Sequence, residues 1–259
     1  MTSSDSAASP PPATLPRPGG GAIAYHKIEG RSPTLVFLCG LRSDMNGTKA
    51  LALADYARRS GRAYLCFDYR GHGRSSGRFE ETVLSDWLDD ALLAIDRLTT
   101  GPLVLVGSSL GGWLMLRATQ MRPARVKGLV GIAAAADFTE DLMWQAFSEE
   151  TRARMVRDGR IEVPSDYGPE PTVITHALIE DGRKHLVLRA PIAFEGPVRL
   201  IHGLADKDVP WRTAIEIAHR LASSDVEAIL VKGGGHRLSE PADLARLETI
   251  VGQVCDKVA

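Results

Sequence analysis

The stretch Pro102–Leu116, PLVLVGSSLGGWLML, decides the fold. Leu103 to Val106 form an apolar, partly β-branched run that predicts a buried strand. Gly107-Ser108-Ser109-Leu110-Gly111 follows, and after it an apolar run whose spacing suits a helix. Strand, G-x-S-x-G and helix in that order are the setting of a nucleophile elbow, where a serine sits on a sharp turn with its hydroxyl above the sheet. Such a turn presses backbone against backbone, so glycine is required at positions 107 and 111. The helix that starts after Ser109 aims its first N–H groups at any oxyanion formed there. Ser109 is therefore the candidate nucleophile.

On the N-terminal side of this stretch, Ala22 to Lys27 alternates and Thr34 to Leu38 is a short apolar run, and both read as strands. The polar loop Leu41 to Thr48 leads into a helix from about Lys49 to Ser60, and Arg62 to Tyr69 reads as another strand. Arg70-Gly71-His72-Gly73-Arg74-Ser75-Ser76-Gly77 matches neither phosphate-binding glycine pattern and is read as a structural turn. Thr82 to Leu98 carries an apolar stripe at helical period. On the C-terminal side, Val126 to Ala136, Arg199 to Gly203 and Val226 to Val231 read as strands, with helices from Trp211 to Leu221 and at the C-terminus. Strands alternating with helices predict an α/β fold whose mostly parallel sheet carries helices on both faces.

Two segments break the rhythm. Residues 1–21 are rich in Ser, Ala, Pro and Gly and are expected to be a disordered tail ahead of one domain, residues 22–259. This tail has neither the apolar core of a signal peptide nor the repeated arginines of a transit peptide, so the cytoplasm is the default location. Residues 138–190 read as a helical cap over the carboxyl edge of the sheet. That cap holds a charged helical stretch from Ser148 to Arg157, turns from Val163 to Pro171 and a second helical stretch from Thr172 to Ile179. Met143, Trp144 and Phe147 either line an acyl pocket or form the cap's own small core, and His176 and His185 read as surface or packing histidines.

Composition narrows the function classes. The chain has 259 residues, a formal net charge of -1 and three cysteines in no metal-binding spacing. Neither a nucleic-acid footprint nor an apolar run near the roughly 20 residues of a membrane span is present. Sparse thiols suit a reducing compartment.

Asp206 lies in a polar turn after the strand that ends at His202-Gly203, and His236 follows Gly233-Gly234-Gly235 in the loop after the last strand. A serine hydroxyl is a weak nucleophile at neutral pH, so a base must take its proton and an acid must orient that base. Ser109, His236 and Asp206 supply these roles. Asp208 is the rival acid, but Asp206 comes sooner after the strand. No metal or other cofactor is expected.

With these residues in view, Asp68-Tyr69-Arg70-Gly71-His72-Gly73-Arg74-Ser75, Gly107 to Gly111, and His202-Gly203 through Asp206 to Val209-Pro210 resemble the α/β-hydrolase superfamily of serine hydrolases over nearly the whole chain. More narrowly, Ser43 to Leu51, Val106 to Leu116 and Val209-Pro210-Trp211 resemble the mitochondrial palmitoyl-protein thioesterases that also act as acyl-glucuronide esterases. The resemblance implies hydrolysis of acyl esters or thioesters, with an acylated protein or a lipid or small-molecule ester as substrate. It also implies an oxyanion hole from the backbone N–H groups of Leu41 and Leu110. Cys39 stands where many superfamily members carry His before the glycine, a change that leaves a backbone donor intact. The other readings are a serine peptidase and a non-catalytic binding module on the same fold.

Overall fold

Parallel strands covered on both faces have no polar side to present, and the centre of this chain follows that rule. The computed structural model describes residues 12–164 and 171–259. Its strands are β1 (Ala13–Pro16), β2 (Ala22–Ile28), β3 (Arg31–Leu38), β4 (Arg62–Phe67), β5 (Leu103–Ser108), β6 (Val126–Ile132), β7 (Arg160–Val163), β8 (Thr172–Thr175), β9 (Val198–Gly203) and β10 (Val226–Val231). Eight of them form one sheet in the order β1-β2-β4-β3-β5-β6-β9-β10, while β7 and β8 pair separately. The β1/β2 and β2/β4 pairs are antiparallel and the other pairs of the large sheet are parallel. β4, β5 and β9 are buried from end to end.

The helices are α1 (Thr48–Ser60), α2 (Leu84–Leu98), α3 (Leu110–Met121), α4 (Glu149–Asp158), α5 (His176–Gly182), α6 (Arg212–Arg220) and α7 (Pro241–Val258). α1 packs on α7 and α2 on α3, and these pairs close over the strands. α1 stops at Gly61, whose φ of 67° lets its N–H turn back to the Ala57 and Arg58 carbonyls. No helix among the described residues is long and apolar enough to cross a membrane.

Part of the expected disordered tail is ordered. Residues 1–11 lie outside the described residues, but Ala13–Pro16 pairs with β2 and adds an edge strand. The anchor is Arg17, whose Nε and Nη2 donate to the two oxygens of Asp90 at 2.7 and 3.0 Å. Both side chains are buried, and the bidentate geometry offsets the cost of desolvating the charges. Composition alone hid this segment because its partner lies 73 residues away.

The insertion after β6 is not purely helical. A π-helical segment, Thr139–Trp144, opens it, and α4 follows, capped by the Ser148 side chain that accepts the Thr151 N–H. The stretch expected to be helical from Thr172 to Ile179 splits into β8 and α5. Its β-branched run Thr-Val-Ile-Thr pairs with β7, and Thr175 then caps α5 by accepting the Leu178 N–H at 3.1 Å. Of the expected turns between Val163 and Pro171, residues 165–170 lie outside the described residues.

Both ends of the insertion are tied at one carboxylate. Asp137, fully buried just before the π-helical segment, accepts the N–H groups of Val187 and Leu188 at 2.8 and 2.9 Å. Burial pushes its carboxyl up from the usual range, against those two hydrogen bonds and the Arg189 guanidinium, which pull it down. Asp137→Asn sets an NH2 group against one of the two backbone donors. The expected result is a loss of about 2 kcal/mol, read as a Tm lower by roughly 4–8 °C in a thermal melt. An unchanged Tm refutes the clasp.

Candidate active site

The elbow is built by exclusion. A Cβ on Gly107 would lie 2.4 Å from the Gly111 carbonyl oxygen, and one on Gly111 would lie 2.0 Å from that of Leu38. Between these contacts Ser109 holds φ 54° and ψ -119°, a conformation unfavourable for a residue with a side chain. Its N–H donates to the Ile132 carbonyl at 2.9 Å, and its own carbonyl accepts from Gly112 and Ala135 at 2.8 and 3.0 Å. Backbone therefore holds the strained turn while the hydroxyl projects above β5.

His236 faces that hydroxyl. Ser109 Oγ lies 3.0 Å from His236 Nε2, and His236 Nδ1 lies 2.9 Å from Asp206 Oδ2. A carboxylate only accepts, so the ring proton sits on Nδ1 and leaves Nε2 free to receive one from serine. The loops carrying Asp206 and His236 pass so close that a Cβ on Gly203 would lie 2.1 Å from the Gly234 carbonyl oxygen. Ala205 donates its N–H to that same carbonyl at 2.9 Å.

Asp206 is saturated with donors. Oδ1 accepts the backbone N–H groups of Asp208 and Val209, both at 2.9 Å. Oδ2 accepts from His236 and, at 3.1 Å, from His202 Nε2. Burial works to raise this carboxyl, but the hydrogen bonds from His202, His236 and Val209 outweigh it and hold the group well below the usual carboxylate range. It stays ionised at neutral pH. Asp208, the rival acid, is exposed and serves Asp206 through its N–H. Asp206, Asp208 and His236 also group as possible metal ligands, but the donors around Asp206 suit a carboxylate that orients imidazole.

The loop after β3 comes alongside. A Cβ on Gly40 would lie 3.4 Å from the Ser109 Cβ, so the backbone that leads into Leu41 borders the serine. Leu110 is the first residue of α3, where the N–H has no carbonyl one turn back to bond. Met143, Trp144 and Phe147 are half-buried against Met155, Ile161, Ile174 and Ile179, the small core of the insertion. Trp144 is flanked by the Arg152 and Arg183 guanidiniums at 5.5 and 4.9 Å from its ring. Of the three, Met143 also packs against the main core, while the contacts of Trp144 and Phe147 favour the cap-core alternative.

Other histidines have structural settings. His72 donates from Nδ1 to the Arg70 carbonyl and packs edge-on against Tyr69, Phe79 and Trp87. His185 joins a second Ser, His and Asp group with Ser85 and Asp181. There the order of donors is reversed: Ser85 Oγ gives its proton to Asp181 at 2.9 Å and accepts from His185 Nε2 at 2.8 Å. That serine is an anchor between α2 and the insertion and not an activated nucleophile. Sequence reasoning passed over His202 and Lys49. His202 could have been noticed four residues before Asp206 at the end of an apolar strand. Lys49, in the first turn of α1, donates from Nζ to the Arg237 carbonyl beside the base at 2.5 Å.

Residues 32–177 match the family model described as Serine aminopeptidase, S33. The mitochondrial palmitoyl-protein thioesterase ABHD10 of Bos taurus is 41% identical over 246 residues, spanning 95% of this chain and 80% of its own. The Homo sapiens protein of that name gives the same figures. The structure of mouse alpha/beta hydrolase domain-containing protein 10 superposes with a TM-score of 0.89 at 38% identity, covering 96% of this chain and 99% of that one. A putative hydrolase from Agrobacterium vitis S4 superposes with a TM-score of 0.89 at 38% identity, covering 94% and 97%.

Proposed function

Since this chain belongs to the α/β-hydrolase superfamily and is an ester or thioester hydrolase, we propose that it works as a serine hydrolase on long acyl chains through an acyl-enzyme on Ser109. The observation that carries the reading is the unbroken run from Asp206 through His236 to the Ser109 hydroxyl, at 2.9 and 3.0 Å. Ser109 Oγ attacks the acyl carbonyl carbon as His236 Nε2 takes its proton. The oxyanion is received by the backbone N–H groups of Leu41 and Leu110. His236 then protonates the departing thiol or alcohol, and the acyl group stays on Ser109. In the second half, His236 Nε2 takes a proton from water as its oxygen attacks the acyl carbonyl carbon; the Ser109 Oγ–acyl bond then breaks, His236 returns the proton to Oγ, and the carboxylic acid leaves.

The substrate proposed first is a palmitoyl-type thioester on a protein, after the relatives' name. Acyl-glucuronide esters are the small-molecule alternative. Three described thiols without a disulfide suit a reducing compartment, and the cytoplasm is the proposed location.

A rate series on p-nitrophenyl esters from about two to sixteen carbons, with a matched acyl thioester and an acyl-glucuronide, tests the substrate. Each methylene bound in an apolar pocket is worth roughly tenfold, so kcat/KM should climb with chain length and favour the thioester. A maximum at short esters, with the glucuronide cleaved and the thioester ignored, overturns the long-acyl reading.

A further inference from the structure

Among the described residues, His202 is the one imidazole besides His236 that touches Asp206. It ends β9, is fully buried, and its Nε2 lies 2.9 Å from the Val209 carbonyl oxygen and 3.1 Å from Asp206 Oδ2. Both neighbours only accept, so Nε2 must carry the ring proton and shares it between them. Nδ1 is buried without a hydrogen-bond partner among the described residues.

We propose that His202 is a positioning residue that shares the acceptor capacity of Asp206 Oδ2 with His236, fixing the acid's orientation and limiting how strongly it holds the base. This rests on the reading of Ser109, His236 and Asp206 given above. Val209 N–H donates to Oδ1 while its carbonyl accepts from His202, so one residue of the acid loop is bound from both sides. The carboxylate is then locked in plane with Oδ2 directed at His236. Without the His202 donor, negative charge on Oδ2 is shared less, the His236 bond tightens and the imidazolium gains stability. Asp206 and Asp208 lie beside the His236 ring and Lys49 reaches the Arg237 carbonyl next to it, and none of these groups changes in the experiment.

The test measures kcat and KM across pH 5–9 for the parent, His202→Leu and His202→Gln, with fluorophosphonate labelling and a Ser109→Ala control. His202→Leu should move the acid limb of kcat/KM up by roughly half to one pH unit. It should also lower kcat about tenfold, with KM within about twofold. Gln keeps an N–H at the Nε2 position and should restore the parent's acid limb. A folded Leu variant with the parent's acid limb overturns the proposal. If the Leu variant does not fold, nitrogen NMR of the parent decides: His202 must show the Nε2–H tautomer throughout the acid limb, and the Nδ1–H tautomer overturns it. Failure of the underlying reading looks different, since Ser109→Ala would then keep the parent's rate.

Discussion

Ser109→Ala is expected to lower kcat/KM by roughly ten-thousand- to million-fold while the protein stays folded. Ten-thousand-fold corresponds to about 5.5 kcal/mol of transition-state stabilisation. The loss falls on chemistry because Oγ is the attacking atom in the proposed mechanism and alanine offers no substitute for it. Stability is spared because the elbow is held by backbone: the Ser109 N–H on Ile132, its carbonyl under Gly112 and Ala135, and the close approach of Gly107 to Gly111. The decisive comparison is turnover of the best substrate beside a thermal melt. Activity within about tenfold of the parent would remove Ser109 from the mechanism.

Asp206→Asn is expected to cost about a thousand- to ten-thousand-fold in kcat. All four contacts of this carboxylate come from donors: two backbone N–H groups on Oδ1, and His202 and His236 on Oδ2. An amide NH2 therefore confronts two donors whichever way it is turned. Turned toward His236, it forces the ring proton onto Nε2, where it blocks uptake from Ser109. Turned the other way, it pushes the Asp208–Val209 turn off. Steady-state rates and a crystal structure of the variant check this, and near-parent kcat would refute the role of the acid. Sign matters for pH as well. Because the folded-state carboxyl is held below its ordinary value, its stabilising contribution is present above the unfolded value of about 3.9 and is lost as pH falls through the lower, folded one. Asp206 therefore stays ionised across pH 5–8 and does not supply an acid limb to the rate profile there.

The central strands were legible in the sequence because burial on both faces leaves a continuous apolar signature, as in Leu103–Val106. Ser109 stood out because its motif is local, five residues framed by a strand and a helix. Asp206 was separable from Asp208 by its nearness to the strand end, and the two differ in the structure as a buried carboxylate does from an exposed one. What escaped was non-local. β1 depends on an ion pair between Arg17 and Asp90, and composition says nothing of such a partner. The split of Thr172–Ile179 into a strand and a helix depends on β7 across the hairpin, which overrides a helix-like apolar spacing. His202 and Lys49 act on the site through single contacts that no sequence period records.

The Asp137 clasp has a meaning for descent. By gathering both ends of the excursion at one carboxylate, it makes residues 138–186 a closed cassette set on an unchanged frame. Mutations at cassette positions away from Asp181 and Met143, which touch the frame, can then be explored by selection while the two ends stay in place. New acyl groups and new leaving groups become reachable while the serine, the base and the acid stay where they are.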